Sequence, residues 1–176
     1  MTAALFEVTA ADVVVTSDEW YTPRWIFDAA ELVFDLDVCA PVAPEFRTCP
    51  ARRYLTVLDD GLTAPWDGLV WMNPPYSRPG PWVERFAAHP DGLALVPPAS
   101  SPWRKSLVKS ADGIALITID GNAARRGQGF GRPDGSQVSY PVALILAARG
   151  ERAVSALEPV AVVDPYAGGA YHVRPA

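Results

Sequence analysis

The strongest constraint on this chain is the rhythm of its apolar runs. "FDLDVCA" (34–40), "GLVWMN" (68–73), "GLALVPPA" (92–99), "GIALITID" (113–120) and "YPVALILAA" (140–148) are all short, and proline, glycine or charge closes each one. That is the pattern of buried strands. Between them, "PWVERFAAH" and "SPWRKSLVKSA" read as short helices opened by proline, the second with a serine cap. Strands alternating with helix-sized segments predict an α/β fold, a mostly parallel central sheet with helices on both faces. Ligands of such sheets bind beyond the carboxyl ends of the strands. Asp37, Asp60 with Leu62, Asn73 to Tyr76 and Pro97-Pro98 all lie just past such ends and are expected to share one crevice.

A length of 176 residues suits one domain over 1–176. Residues 1–17 lack lasting periodicity and are expected to form a tail or an added edge strand. In "SDEWYTPRWIFDAAELVF", Thr22 reads as an N-cap and Pro23 as the first residue of a helix over 23–33, with Trp25, Ile26, Ala29, Leu32 and Val33 as its apolar stripe. "YLTVLDDGLTAPW" predicts a short strand and a turn at Asp59-Asp60-Gly61. The polar, glycine-rich stretch 121–139 predicts a long mobile loop.

Composition narrows the chemistry. Cys39 and Cys49 are the only cysteines and His89 and His172 the only histidines, so neither a zinc site nor a His-dependent nucleophile is expected. A net charge of −5 argues against coating nucleic acid by bulk electrostatics, yet leaves room for local basic grooves. Three such clusters occur: Arg47, Arg52 and Arg53; Arg104, Lys105 and Lys109; Arg125, Arg126 and Arg132. No apolar run approaches a membrane span and the N-terminus lacks a basic start, so a cytoplasmic location is expected.

The sequence Asn73-Pro74-Pro75-Tyr76 stops a buried strand abruptly. An exocyclic base amine is a poor nucleophile, because its lone pair is delocalised into the ring. Two fixed neutral acceptors for its N–H groups would restore density on the nitrogen. The Asn73 side-chain oxygen and the Pro74 carbonyl can supply them, with the prolines restricting the backbone, and Tyr76 can stack on a base that has left the duplex.

Asn-Pro-Pro-Tyr after an apolar strand resembles motif IV of the amino-methyltransferases. The ordered set "DEWYTPRWIFDAAE…FDLDVCA…LDDGL…W…VWMNPPYS" resembles the phage-type DNA N6-adenine methyltransferases, the Dam-like family, over about residues 18–147. The resemblance implies a Rossmann-like methyltransferase fold, S-adenosylmethionine as cofactor, no metal, and double-stranded DNA as partner with the target adenine flipped. It also implies a phage or prophage origin. Asn73, Pro74, Pro75 and Tyr76 would form the target-amine site. Asp37 would bind polar groups of the cofactor while Cys39 and Ala40 line the turn, and Trp20, Thr22 and Pro23 would flank the pocket. Asp60 would accept from the cofactor's adenine amine and Leu62 pack on its ring. Ser77, Arg78, Arg104, Lys105, Arg125, Arg126 and Arg132 would hold DNA, with Phe130 as a wedge. The family's glycines after Asp37 are replaced by "APVAP". A rival cofactor loop, "VVDPYAGGA" (162–170) with Asp164, lacks a following helix and reads as a glycine-rich turn between short strands. The same acceptor geometry also suits cytosine N4, an RNA adenine or a glutamine amide. A further alternative is a non-catalytic DNA- or nucleotide-binding accessory protein that kept the sheet.

Overall fold

The computed structural model describes residues 18–119, 122–163 and 170–171. Its strands are β1 Leu36–Asp37, β2 Val70–Met72, β3 Gly92–Val96, β4 Gly113–Ile119, β5 Phe130–Gly131, β6 Gln137–Val138, β7 Tyr140–Arg149 and β8 Ala170–Tyr171. Its helices are α1 Arg24–Ala30, α2 Gly80–Ala88, α3 Pro102–Ser110, α4 Glu151–Ser155 and α5 Leu157–Val163. The five apolar runs therefore all contain strands, and they join with β8 in one sheet of order β1-β2-β3-β7-β4-β8.

The sheet is mixed, which corrects the expectation of a mostly parallel one. β1, β2 and β3 pair parallel, whereas β7 runs antiparallel to both β3 and β4, and β8 antiparallel to β4. The cause lies in the connection. A parallel neighbour needs a crossover across the sheet face, normally with a helix. Between β4 and β7 the described chain holds only a 3-10 turn at Ala124–Arg126 and the β5–β6 pair, so it returns antiparallel and β7 slots in beside β3. Because β3 and β4 both oppose β7, all four strands β1 to β4 point the same way and deliver their carboxyl ends to one edge.

Helices cover both faces. Ile26 and Phe27 of α1, with Ala153, Leu157 and Val160 of α4 and α5, pack on Trp71, Leu93, Leu95, Ile117 and Leu144. Val83 and Phe86 of α2 and Leu107 of α3 pack on Val70, Met72, Ala94, Val96 and Ile145. β3 is buried at every position, as a central strand covered on two sides must be, while β4 alternates buried and half-buried residues.

Local details depart from the sequence pattern where tertiary contacts intervene. α1 is shorter than 23–33: Pro23 occupies the cap position, and Glu31, at φ 52°, ends the helix in the left-handed region. Thr22 caps nothing; its buried hydroxyl finds no partner among the described residues, while its carbonyl accepts from the Thr48 hydroxyl at 2.7 Å. Ser101 likewise stands at the cap of α3 without a side-chain bond. β1 is only two residues long, yet residues 51–55 run beside it: Asp37 N–H donates to the Arg53 carbonyl at 2.9 Å and Leu55 N–H to the Asp37 carbonyl at 2.8 Å. Residues 162–163 end α5 rather than opening a glycine-rich turn; Asp164 lies outside the described residues.

Where a mobile loop is expected, residues 122–139 carry the 3-10 turn and the β5–β6 hairpin, and Gly131 bridges to Tyr21 through paired backbone bonds of 2.9 Å. Phe130 is the second correction. It is 0 % exposed, with its ring edge-on to Trp20 at 5.5 Å and to Tyr140 at 6.4 Å, so it is core and not a wedge offered to DNA. Phe130→Ala is expected to lose about 3–5 kcal/mol of stability, the cost of truncating a buried aromatic. A urea denaturation curve with an unchanged midpoint would contradict this placement.

Candidate functional site

At the carboxyl ends of β1 and β2 lies a cavity of about 670 Å³. That volume is in the range of small-molecule sites, roughly 300–1,000 Å³. Val38, Cys39 and Ala40 beyond β1 and Asn73 and Pro75 beyond β2 reach it from the sheet. Residues 18–21, Phe46, Val57, Asp60, Trp82 and Pro133 close its sides. Its walls are largely aromatic and aliphatic. The acidic and basic side chains among its described lining residues, Asp18, Glu19 and Asp60, are all carboxylates, which favours a cationic ligand.

The turn after β1 does without glycine because an arginine holds it. Arg47 donates to the Pro41 carbonyl at 3.0 Å and the Val42 carbonyl at 2.9 Å, and its guanidinium lies over the Tyr54 ring at 4.8 Å. Pro41, Val42 and Ala43 are thereby set along the cavity wall. Opposite, Gly61 is packed so closely that a Cβ would sit 2.3 Å from the Val38 carbonyl and 2.8 Å from the Trp82 ring. Its own carbonyl accepts from Trp66 Nε1 at 2.8 Å and Arg85 Nη1 at 3.1 Å, so α2 fixes the Asp60-Gly61 turn. Asp60 adopts φ 51° and turns its carboxylate onto Leu62 N–H, 3.2 Å, and the Thr63 hydroxyl, 3.1 Å.

Asn73 is the polar centre of the site. Its Nδ2 donates to the Trp20 carbonyl at 2.7 Å, and that carbonyl can only accept, so the amide orientation is determined. Oδ1 is consequently the free end: it is buried and has no hydrogen-bond partner among the described residues. A buried acceptor left unsatisfied is costly, and its presence beside a cavity calls for an incoming donor. The following turn is closed by Arg78 N–H on the Pro75 carbonyl at 3.3 Å. Tyr76 turns its ring alongside Trp20, 6.3 Å between centroids at 26°, and edge-on to Tyr140 at 6.0 Å. Its hydroxyl is buried without a partner among the described residues, and burial pushes its pKa upward, so the phenol stays protonated.

The residues expected around a cofactor divide into two groups. Trp20, Cys39, Ala40 and Asp60 line the cavity; Thr22, Pro23, Asp37 and Leu62 do not. Asp37 is only 4 % exposed, and its carboxylate faces inward, where Cys39 N–H donates to it at 3.1 Å and the Cys49 thiol also reaches it. It shapes the turn from within. Val57, 70 % exposed, lines the cavity, whereas Leu62 does not. Nothing local singles out Val57 or Trp82, since one lies in a short apolar run and the other fits a helix stripe. Asp18 and Glu19, in contrast, sit in the quoted "DEWYTP" segment.

The residues expected to hold DNA follow the same edge of the sheet. Ser77 and Arg78 come after β2, Arg104 and Lys105 after β3, and Arg125, Arg126 and Arg132 after β4. Arg78, Arg104, Lys105, Arg125 and Arg126 are exposed, whereas the Arg132 guanidinium lies 5.8 Å from the Trp20 ring centre and is half-buried. Ser77 is already engaged, its N–H and hydroxyl both bonded to Asp18.

This ordered arrangement is matched by a known family. Residues 11–155 match the family model described as DNA N-6-adenine-methyltransferase (Dam). The chain belongs to the Dam family. A curated relative, the DNA N-6-adenine-methyltransferase of Haemophilus phage HP1 (strain HP1c1), is 37% identical over 112 residues, 57% of this chain and 62% of the relative. The chain thus spans about three-fifths of that relative's length. No solved structure matches this Dam-family chain. Among the described residues, no helix is long and apolar enough to cross a membrane and no cluster of His, Cys, Asp and Glu could hold a metal ion.

Asp37 gives this Dam-family site a measurable pH signature. Burial, opposed in part by the Cys39 N–H, the Arg47 charge and the Cys49 thiol, raises its carboxyl from the ordinary 3.8 to about 7. A folded pKa above the unfolded one means that the contribution of the protonated group is complete below about pH 4 and is lost as pH climbs toward 7. Asp37→Asn removes the titration while keeping an acceptor. The melting temperature of the variant is therefore expected to gain on that of the native protein between pH 5 and pH 8. Parallel melting-temperature profiles would refute the assignment.

Proposed function

We propose that this protein transfers a methyl group from S-adenosylmethionine to the N6 amine of adenine in double-stranded DNA. The observation that carries the proposal is Asn73 Oδ1, a buried acceptor with no partner among the described residues, on a residue that lines the cavity. Family membership and the activity of the phage relative point the same way.

The chain's residues fit such a cofactor. Carboxylates at Asp18, Glu19 and Asp60 suit its positive charge, and the apolar and aromatic walls suit its adenosine. In this reading the edge where β1 and β2 end is the cofactor crevice of a Rossmann-like methyltransferase, and Cys39 and Ala40 rather than Asp37 touch the ligand. When bound, S-adenosylmethionine supplies an electrophilic methyl group on a sulfonium.

The protein's own contribution is placement and polarisation. Asn73 Oδ1 and the Pro74 carbonyl accept the two N–H bonds of the amine and concentrate density on its nitrogen. The nitrogen becomes acidic once alkylated, so no charged base has to stand beside it. Tyr76 offers its ring to the flipped base from within its cluster with Trp20 and Tyr140. Arg78, Arg104, Lys105, Arg125 and Arg126, all on the edge where this crevice opens, contact phosphates and orient the duplex. In this reading the protein works in the cytoplasm, where phage or bacterial DNA is accessible.

Asn73→Ala is expected to lower transfer of labelled methyl to unmethylated DNA by about 10²-fold or more, the usual cost of one preorganised donor or acceptor in such a site. Thermal stabilisation by S-adenosylmethionine should survive the substitution. A variant that methylates at the native rate would discard the acceptor role, and a product other than N6-methyladenine in nucleoside mass spectrometry would discard the substrate. DNA affinity is further expected to fall steeply between about 50 and 200 mM salt; flat affinity over that range would remove the phosphate contacts.

A further inference from the structure

The segment that walls the cavity also grips the Asn73 loop at both of its ends. The Asp18 carboxylate receives two bonds from one residue: Ser77 N–H donates to Oδ1 at 3.0 Å, and the Ser77 hydroxyl donates to Oδ2 at 2.5 Å. Two residues further on, the Trp20 carbonyl takes the Asn73 amide at 2.7 Å, and the Trp20 ring lies alongside Tyr76. Residues 18–20 thus run against residues 73–77, with contacts at 18 to 77 and at 20 to both 73 and 76. Pro74 and Pro75, between the grips, have φ already fixed by their rings. Little freedom is left to the loop.

We infer that Asp18 is a positioning residue of the transfer reaction: by clamping Ser77 it holds the Asn73–Tyr76 turn in the shape that presents Oδ1 and the aromatic ring to the target amine. The inference rests on the methyl-transfer reading. Bonds to a carboxylate are the shorter and stronger kind, and two of them on a single serine fix a direction as well as a distance. The contact is exposed at the surface, so its contribution to global stability is small and its consequence is geometric. Reaction rate, by contrast, is steeply sensitive to placement: a displacement of about 1 Å costs on the order of 10²-fold. The clamp also assigns Ser77 a use different from phosphate binding. The two uses have opposite kinetic signatures, since a lost phosphate contact weakens DNA binding and a lost clamp slows the bound complex.

The test uses the full-length protein, S-adenosylmethionine and an unmethylated duplex, and compares Ser77→Ala with Ser77→Thr. With the clamp, Ser77→Ala lowers kcat at saturating DNA and cofactor by about 10-fold while leaving both KM values and the melting temperature near native, because backbone placement and not binding is disturbed. Ser77→Thr, which keeps the hydroxyl, restores most of kcat. Adding Asp18→Ala to Ser77→Ala should lower kcat by less than the product of the two single effects, as expected for partners in one contact. Native kcat in Ser77→Ala overturns the inference. So does an effect confined to KM for DNA, which would return Ser77 to phosphate binding, and so does full additivity with Asp18→Ala. A native protein with no methyl transfer at all would instead overturn the underlying functional reading, so the two failures are distinguishable.

Discussion

The site depends on one hydrogen bond, from the Asn73 amide to the Trp20 carbonyl. A primary amide carries donors at one end and an acceptor at the other, and a partner that can only accept fixes which end faces which way. Had residue 20 offered a donor at that point, the amide would turn and present N–H groups to the cavity, which repel an incoming amine. The position of residue 20 is in turn determined by a backbone bridge from Tyr21 to Gly131 and by the packing of its indole on Tyr76, Phe130 and Tyr140. Segments distant in sequence, 18–21, 73–77 and 130–140, therefore form one unit around a single polar group.

The mixed topology does not disturb the edge on which that unit sits. β7 is the longest strand and lies in the middle of the sheet, yet it is the reversed one. Its reversal lets β4 return to the common direction, so every βα or ββ connection that leaves β1 to β4 at the carboxyl end contributes to the same rim. Cofactor-sized space lies at one part of that rim, and exposed arginines follow the strands along the rest.

Much of this was legible in the sequence, for reasons that particular residues make plain. Short apolar runs of the "GLALV" type have enough local signal to be found as strands, and the carboxyl-end rule then leads to Asn73, Pro75 and Asp60 at one cavity, although Asp37, Leu62, Pro74, Tyr76 and Pro97-Pro98, expected in the same crevice, do not line it. Direction of pairing was less accessible, because β7 reads the same whether it runs parallel or antiparallel; only the absence of a crossover helix among the described residues between β4 and β7 bears on it. Phe130 is not legible as core, since glycines and arginines on either side mark a loop, while its burial comes from Tyr140 ten residues on and from Trp20, far away along the chain. Asp37 was placed at the right strand end, but which way a carboxylate points is decided by the Cys39 N–H and Cys49 thiol around it. Thr22 looked like a cap, yet its hydroxyl lies buried and its carbonyl is taken by Thr48.

The arginine that stands in for glycines after β1 has a consequence for how the crevice receives a guest. A glycine-rich turn leaves many backbone shapes open until a ligand selects one. Here Arg47 straps the Pro41 and Val42 carbonyls from behind, and two prolines flank Val42 and Ala43. The wall is rigid before anything arrives, so an entering molecule surrenders less chain entropy to order it and meets a fixed outline that rejects poor fits at the door.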